Sequence, residues 1–214
     1  MKRTCIGFFI SVEGADGVGK SSQVRRLAEY LRSRGSDVVV TREPGGGGEG
    51  AEAIRALLLN GDAERWTPMA EALMMFAARA EHLDRVIRPA LVAGKTVVTD
   101  RFADSSMAYQ GMAGGVGEAR IRALNALVVG QDEPDLTLIL DAPAQVGLAR
   151  AERRSQGEGR FESKGADYQA KVRSAFLSIA SDNPLRCVVI DASPDENAVW
   201  RSVAQSVDAA LQSR

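Results

Sequence analysis

Histidine, cysteine and aromatic residues are scarce in this chain of 214 residues. It contains one histidine, two cysteines and 5% aromatic residues. Two cysteines are too few for a disulfide scaffold, and Cys5 and Cys187 both lie at the edges of apolar, strand-like runs, so we expect buried and unreactive thiols. His82 has no Cys or His partner at the spacing of a metal site. We therefore expect it to have a structural or surface role.

The chain also lacks a charge excess and a long apolar run. A net charge of −1 and a pI near 6.0 argue against a general nucleic-acid or membrane-surface binder, because both need surplus Lys and Arg. The apolar run after Met1-Lys2-Arg3 resembles a secretion signal, but Glu13 interrupts it before a glycine loop, which favours a core strand. No stretch is long enough to span a bilayer. We therefore expect a soluble cytoplasmic protein without a nucleic-acid or membrane partner.

A complete phosphate-binding pattern, G-x-x-x-x-G-K-[S/T], occupies residues 14–21 (GADGVGKS). An apolar run at 6–12 precedes it, and apolar residues at helical spacing from Val24 to Leu31 follow it, which is the strand, loop and helix order that such a loop requires. Glycines allow the backbone N–H groups to turn inward and bind phosphate at the positive end of the helix. The predicted ATP-binding residues are Gly14, Ala15, Asp16, Gly17, Val18, Gly19, Lys20, Ser21 and Ser22.

Two side chains of this loop have predicted chemical roles. Lys20 supplies a mobile positive charge to the β- and γ-phosphates, and the hydroxyl of Ser21 is placed to ligate Mg²⁺. The alternative is a glycine-rich turn that binds no ligand. Because composition, spacing and context agree, the sequence predicts a nucleoside triphosphate site with Mg²⁺.

Short apolar runs alternate with amphipathic stretches along the whole chain. Strands are predicted at 6–12, 37–41, 96–99, 136–140 and 187–190, and later helices at about 52–59, 67–91, 118–129, 167–181 and 199–211. The stretch from 102 to 117 is polar and glycine-rich. This alternation indicates a parallel sheet with helices on both faces. No linker or repeat divides the chain, so we predict one α/β domain over 1–214.

Loops at three places are predicted to carry function. Arg42-Glu43-Pro44 opens a glycine run, and its charged entry favours a ligand-binding loop. Asp100-Arg101 directly follows a buried strand, where an open parallel sheet presents charge to its ligand. The chain at about 150–165 is basic and broken by Gly, Ser and Gln, which indicates a mobile lid.

Four more segments follow the phosphate loop in order: 41–46 (TREPGG), 100–102 (DRF), 105–111 (SSMAYQG) and 134–138 (PDLTL). Together the five segments make the chain resemble the thymidylate kinases over nearly its whole length, from about Phe8 to Trp200. The resemblance implies a P-loop NTPase fold of three α/β/α layers, with a central parallel sheet of five strands and a short lid. It also implies transfer of the ATP γ-phosphoryl group to dTMP, giving dTDP and ADP for dTTP biosynthesis. It further implies a homodimer packed through helices, which the apolar faces around Leu57, Leu73 and Leu124 permit, although core packing explains these faces too.

The resemblance further implies roles for charged residues around the phosphates. Arg101 would clamp the acceptor phosphate and the transferring group. Asp100 would organise the Mg²⁺ shell or Arg101, or else merely cap its turn. Arg42 and Arg55 match arginines near the acceptor phosphate, although a solvated helix charge explains Arg55 nearly as well. The residues matched to the acceptor sugar or the metal are Glu43 and Asp16, and the predicted metal ligands are Ser21 and Asp16.

A second group of residues matches the positions that contact the nucleoside. Arg79 would reach the O4 edge of thymine, Ser106 and Gln110 would complete the polar contacts, and Tyr109 would pack against the deoxyribose. A turn or core role remains the alternative for the last three. The full set of predicted substrate-binding residues is Asp16, Arg42, Glu43, Pro44, Arg55, Met75, Phe76, Arg79, Arg101, Ser105, Ser106, Tyr109 and Gln110.

The chain departs from the family pattern at two positions. Members commonly place phenylalanine four residues before the arginine that reads the base, but this chain has Met75 there and Phe76 next to it. Both lie near the helical face of Arg79, so either could cover the base. Gly47 stands where the loop commonly carries a side chain.

The position of the catalytic cation divides the family. Gly17 leaves the phosphate loop without an arginine, and the arginine-rich lid resembles the bacterial division. A lid arginine would stabilise the charge that develops during transfer. The candidates are Arg150, Arg154 and Arg160, and a solvated helix face explains Arg153 equally well.

Catalysis of this kind needs no strong nucleophile, because the acceptor phosphate oxygen is already anionic. Positioning and charge therefore favour Lys20, Arg101 and a lid arginine as the catalytic residues, with Asp100 in support. One alternative is a kinase for another nucleoside monophosphate or for several. The other is a nucleotide-dependent switch or partition ATPase, although the chain has no Asn-Lys-x-Asp guanine-reading sequence.

Overall fold

The central element of the molecule is a sheet of five parallel strands. The structure is a computed structural model that describes residues 7–62, 64–143, 145–146 and 164–213. The strands are β1 Phe8–Glu13, β2 Val38–Arg42, β3 Thr96–Asp100, β4 Leu136–Asp141 and β5 Cys187–Asp191. Their order is β2-β3-β1-β4-β5, and all neighbours pair in parallel. The predicted sheet is confirmed.

Helices cover this sheet in the expected α/β/α arrangement. They are α1 Lys20–Ser33, α2 Glu49–Leu59, α3 Pro68–His82, α4 Arg88–Val92, α5 Ala103–Ser106, α6 Glu118–Val128, α7 Ala166–Asp182 and α8 Glu196–Gln212. Two π-helical segments, Leu83–Ile87 and Met107–Ala113, continue α3 and α5.

The central strand β1 is buried throughout because apolar side chains cover both of its faces. Successive strand residues point to opposite faces. Ile10 and Val12 pack into one cluster with side chains of α1, α7 and α8, whereas Phe9 packs on the other face with Leu83 and Phe102. The rings of Phe9 and Phe102 meet edge to face at 4.9 Å. Because the side chains of β1 point alternately to the two faces, the sheet packs against a helical layer on each side.

The predicted long helix at 67–91 is present with a change of geometry inside it. Helix α3 passes through the π segment Leu83–Ile87 into α4, and together they run from 68 to 92. Pro89 lies in the first turn of α4, directly after the π segment. Proline has no N–H for the helical ladder, so an irregular turn next to it has a local cause.

The polar stretch after β3 is helical, which the sequence pattern does not indicate. Helix α5 and its π continuation span residues 103–113, and they bury Ser106, Tyr109 and Gln110. A helix that buries polar side chains lacks the apolar period from which helices are predicted. These polar residues face the interior because they line the site described below.

Charged residues meet at the carboxyl ends of the strands. The register places Arg42 of β2 beside Asp100 of β3, and Asp100 beside Val12 of β1, one residue before Glu13. The phosphate loop leaves β1 at the same edge. Parallel sheets bind ligands at this edge.

The one cysteine and the one histidine in the described part of the chain are both buried. Cys187 is a free thiol and is buried as predicted, and burial raises its pKa to about 12. Cys5 lies outside the described residues. His82 is fully buried, and no group of three His, Cys, Asp or Glu residues there is arranged to hold a metal ion. None of the described helices has the length and apolar content needed to cross a membrane.

Candidate active site

The phosphate loop connects β1 to α1 through glycines whose φ angles are positive. Gly14 has φ 133° and Gly19 has φ 96°. A Cβ atom on Gly14 would lie 2.3 Å from the carbonyl oxygen of Leu140, so this position admits only glycine. The Nζ of Lys20 donates to the carbonyl oxygens of Gly14 at 3.2 Å and Ala15 at 2.7 Å. The side chain of Lys20 therefore folds back over the phosphate loop, where it is predicted to contact the phosphates.

Lys20 is buried, and its charge is destabilised in this structure. Burial, together with the nearby charge of Arg101, lowers the pKa of Lys20 to about 8, against the opposing effect of Asp16 and Asp100. Two cations confined to one small region attract anions strongly. The electrostatics of the loop thus match a site for phosphate groups.

Ser21 and Asp100 come together at the edge of the loop. The Ser21 hydroxyl donates to Oδ2 of Asp100 over 2.7 Å. A hydroxyl and a carboxylate are hard oxygen ligands, and Mg²⁺ in nucleotide sites is usually held by one or two such groups together with phosphates and waters. These two side chains fit Mg²⁺, whereas the carboxylate of Asp16 is engaged elsewhere.

Arg101 lies between the phosphate loop and the cavity beside it. Its backbone is left-handed (φ 69°), which is unusual for a residue other than glycine and is typical of functional sites. Nη1 donates to the carbonyl oxygen of Gly14 at 2.9 Å and to Ser105 Oγ at 3.1 Å. Nη2 donates to Asp16 and to the hydroxyl of Tyr109. One guanidinium thus contacts both the loop and the cavity wall.

The Arg101–Asp16 ion pair is mostly buried. Burial on its own would raise the pKa of Asp16, but the positive charges of Arg101 and Lys20 outweigh it and lower that pKa. The Tyr109 hydroxyl and the Gln169 amide also donate to Oδ2 of Asp16. As an ionised carboxylate, Asp16 therefore links Arg101, Tyr109 and Gln169 at the wall of the cavity.

A cavity opens beside Arg101. It gathers most of the predicted substrate-binding residues, although they come from segments far apart in the chain. Its walls consist of Asp16, Glu43, Pro44, Leu59, Met75, Arg79, Arg101, Phe102, Ser105, Ser106, Tyr109 and Gln110.

Three predicted substrate-binding residues do not line this cavity. Phe76 packs in an apolar cluster with Ile121 of α6, so Met75 is the neighbour that faces the cavity. Arg42 is exposed and pairs with Glu52, and Arg55 donates from Nη1 to the carbonyl oxygen of Pro44 at 2.6 Å. Arg42 is the chain neighbour of Glu43 and Arg55 contacts Pro44, so both arginines adjoin residues that line the cavity.

Arg79 lines the same cavity and is 2% exposed. Its Nε donates to Oε2 of Glu43 at 2.8 Å, and its Nη2 donates to Ser106 Oγ at 2.9 Å and to the carbonyl oxygen of Phe102 at 3.2 Å. The rings of Phe76 and Phe102 lie 4.6 and 5.3 Å from the guanidinium carbon. Nη1 is buried without a hydrogen-bond partner in the described structure. A buried donor in that state favours a ligand that brings an acceptor.

Sequence reasoning missed the carboxylates of Glu13, Glu71 and Glu52, which accept hydrogen bonds from cavity-lining residues or from the loop after Pro44. Oε1 of Glu13 accepts from the backbone N–H of Phe102 at 2.7 Å, and its Oε2 accepts from Ser105 Oγ at 2.6 Å. Burial and then the charge of Asp104 raise the pKa of Glu13 to about 7. Glu71 accepts from the amide of Gln110 at 2.9 Å, and Glu52 accepts from the backbone N–H of Gly46. Only Glu13 carried a signal, as a lone carboxylate that ends an apolar strand before the loop.

The predicted lid arginines, Arg150, Arg154 and Arg160, lie outside the described residues, as does Arg153. The described chain resumes at Lys164, whose Nζ lies 4.8 Å from the centre of the Tyr168 ring. The assignment of the catalytic cation therefore stays a prediction.

Comparison with known proteins agrees with this geometry. The family model described as thymidylate kinase matches residues 12–203. The thymidylate kinase of Caulobacter vibrioides is 55% identical over 201 residues, which cover 94% of this chain and 96% of that protein. The thymidylate kinase of Dinoroseobacter shibae is 50% identical over 92% of this chain and 94% of its own length. The crystal structure of the Ehrlichia chaffeensis thymidylate kinase superposes with a TM-score of 0.76 at 34% identity and covers 94% of this chain and 98% of that one. This chain belongs to the thymidylate kinase family.

Proposed function

We propose that the phosphate loop and the adjoining cavity bind ATP and dTMP and transfer the γ-phosphoryl group between them, giving dTDP and ADP on the route to dTTP. The observation that carries the proposal is the position of Arg101. Its guanidinium contacts the carbonyl oxygen of Gly14 in the loop and the Tyr109 hydroxyl in the cavity. A cation between two phosphate-binding regions is placed to bring two anionic substrates together.

The donor side of the proposal uses the loop from 14 to 22. Its backbone N–H groups would hold the β- and γ-phosphates, and Lys20 would move from its carbonyl partners onto them. Ser21 and Asp100 would hold Mg²⁺, which supplies positive charge to the phosphate oxygens when it is bound. Asp16 is proposed to support Arg101 in preference to the metal, because its oxygens already accept from Arg101, Tyr109 and Gln169.

The acceptor side uses the cavity. With its 5′-phosphate at Arg101, the nucleotide would place its base at the opposite end, next to Arg79. The unpartnered Nη1 would donate to O4 of thymine, since a carbonyl oxygen supplies the acceptor that this buried donor lacks. Ser106 and Gln110 would complete the polar edge, and Met75 would cover one face of the ring.

The remaining roles concern the sugar and the phosphate. Tyr109 would pack against the deoxyribose, where its ring leaves little room for a 2′-hydroxyl. Arg42 and Arg55 would attract the acceptor phosphate from the loop side of the cavity. A lid arginine among Arg150, Arg154 and Arg160 would add charge at the transferring group.

Transfer on these residues needs no general base, because the attacking phosphate oxygen is already ionised. The chain would contribute fixed positive charges, on Lys20 and Arg101, between which donor and acceptor are aligned. Removing one fixed charge from such a site typically lowers turnover on the order of 10² or more. Lys20→Ala is therefore expected to fold normally and to lose at least that factor.

The proposal is tested by coupled ADP release with ATP and Mg²⁺, comparing dTMP, dUMP, dCMP, dGMP and no acceptor. Release that depends strongly on dTMP and is much weaker with the other nucleotides supports it. Equal release with several acceptors would replace it with a broad nucleotide kinase, and release without any acceptor would favour a nucleotide-dependent switch. Near-normal turnover of Lys20→Ala would contradict the assignment of the loop.

We also propose that the protein is a homodimer packed through α2, α3 and α6, and that it acts in the cytoplasm, where its nucleotide substrates occur. Leu57, Leu73 and Leu127 expose 44%, 51% and 81% of their surfaces on these helices. Exposed leucines on neighbouring helices are typical of an interface. Light scattering should give twice the chain mass for the wild type and the single mass for Leu73→Glu.

A further inference from the structure

His82, the single histidine of the chain, lies at the meeting point of three elements that build one end of the cavity. It is the last residue of α3, one turn after Arg79, and its side chain is fully buried. Its Nδ1 lies 3.0 Å from Oε1 of Glu43, and its Nε2 lies 2.7 Å from Oγ1 of Thr41. The ring thus joins α3 to the end of β2 and to the loop after it.

The carboxylate of Glu43 is shared between His82 and Arg79. Its Oε2 accepts from Nε of Arg79 at 2.8 Å, while its Oε1 faces the histidine. An ionised carboxylate oxygen only accepts hydrogen bonds, so Nδ1 of His82 is the donor in this pair. In a neutral ring Nε2 then accepts from the hydroxyl of Thr41. His82 therefore holds Glu43 through one ring nitrogen and Thr41 through the other.

Gly46 and Gly47, in the loop after Pro44, pack directly against His82. A Cβ atom on Gly47 would lie 2.5 Å from the backbone nitrogen of His82 and 2.6 Å from its Cα. A Cβ atom on Gly46 would lie 3.0 Å from Nε2 of His82. Side chains at these positions would push the loop off α3. This packing accounts for glycine at position 47, where the resemblance led us to expect a side chain.

We propose that His82 is a positioning residue for recognition of the pyrimidine, acting on Arg79 through Glu43. The inference rests on the proposed function, in which Arg79 reads the base. Glu43 fixes Nε of Arg79, so the direction of its unpartnered Nη1 depends on where that carboxylate is held. Without the histidine donor, one oxygen of a buried carboxylate loses its partner, and Glu43 and Arg79 gain alternative orientations.

Two polar variants separate positioning from the filling of space. The amide nitrogen of His82→Asn can occupy the place of Nδ1 and keep the donor to Glu43. The longer His82→Gln places its amide near Thr41, at the position of Nε2, and leaves Glu43 without it. We expect Gln to raise the KM for dTMP about tenfold with little change in kcat or in the KM for ATP, and Asn to stay near the wild type.

Val203→Ala is the matched control, since Val203 is fully buried in α8 and does not line the cavity. It should lower the melting temperature without changing the KM for dTMP. His82→Leu, which removes both contacts, should raise that KM at least as much as Gln does. Direct binding of dTMP, measured by calorimetry, should follow the same order of variants.

The inference is overturned if His82→Gln binds dTMP like the wild type, or if Asn and Gln weaken it equally. It is also overturned if the KM for ATP rises in parallel, since general loosening of the fold would do that. Failure of the proposed function has a different signature, because wild-type protein would then release no ADP in response to dTMP. Calorimetry with dTMP tests the role of His82 in that case as well.

Discussion

The hydroxyl of Ser21 lies 2.7 Å from the carboxylate of Asp100, although 79 positions separate the two residues. The contact joins the first turn of α1 to the end of β3, because β1 and β3 are neighbours in the sheet. It places a hydroxyl and a carboxylate at the same point beside the phosphate loop. Two hard oxygen ligands at this place are suited to Mg²⁺ bound to a nucleotide.

Removing either of the two proposed Mg²⁺ ligands should raise the Mg²⁺ concentration needed for activity. Ser21→Ala and Asp100→Asn are each expected to raise the half-saturating Mg²⁺ concentration about tenfold, with the larger effect from Asp100 because it carries the charge. Mg²⁺ titrations of ADP release at fixed ATP provide the measurement. Ser33→Ala, the same substitution at the other end of α1, is the control. Unchanged Mg²⁺ dependence in Asp100→Asn would remove this residue from the metal site.

Met75 faces the cavity, so its side chain should set the strength of contact with the base. Met75→Phe presents a ring to the pyrimidine, and aromatic pairs gain about 0.5–1.5 kcal/mol beyond their burial, so the KM for dTMP should fall about twofold to twelvefold. Met74→Phe is the matched control, since Met74 is the adjacent residue and does not line the cavity. An equal change in both variants would mean that Met75 does not contact the base.

The pH dependence of the free enzyme should report Lys20. Its pKa is lowered to about 8 by burial and by Arg101, so the ammonium group loses its proton as the pH rises through that value. A neutral lysine offers no charge to the phosphates, and kcat/KM for ATP should therefore fall above about pH 8. Bound phosphates favour the charged form, so kcat should fall at higher pH than kcat/KM does. A kcat/KM for ATP that stays constant to pH 9.5 would contradict this.

Glu13 should make stability depend on pH near neutrality. Burial and Asp104 raise its folded-state pKa from 4.5 to about 7, so its contribution is fully present below pH 4.5 and is lost as the pH rises through 7. Relative to the wild type, Glu13→Gln should gain about 2–3 kcal/mol in the free energy of unfolding between pH 5 and pH 8. Urea unfolding of both proteins at the two pH values measures this difference. A difference that does not change with pH would show that Glu13 titrates normally.

The phosphate loop and the sheet were predictable because local sequence determines them. Glycines at 14 and 19, an apolar run before them and a helical stripe after them describe a strand, a turn and a helix within one short stretch. The other strands are short β-branched runs, and their boundaries in the structure lie within two residues of the prediction. The helix after β3 was not predicted, because Ser106, Tyr109 and Gln110 turn polar groups inward.

Most residues that line the cavity were also identified from sequence, through motifs in several separate segments. The sequence did not predict which contacts each of these residues makes. Met75 and Phe76 differ by only about 100° around α3, so the helical period allowed either to face the cavity. Packing of Phe76 against Ile121 of α6 decides for Met75. Likewise, the buried pairing of Asp16 with Arg101 distinguishes its environment from that of Asp100 beside Ser21.

The sequence by itself determined the fold class, the phosphate loop and the family, because these depend on periodicity and on residues adjacent in the chain. Only the tertiary structure decided that His82, Glu43 and Arg79 form one connected set, since Glu43 is 36 residues from Arg79 and 39 from His82 along the chain. Buried polar contacts of this kind leave no periodic trace, because each requires the right partner at one place in space and not at a fixed spacing.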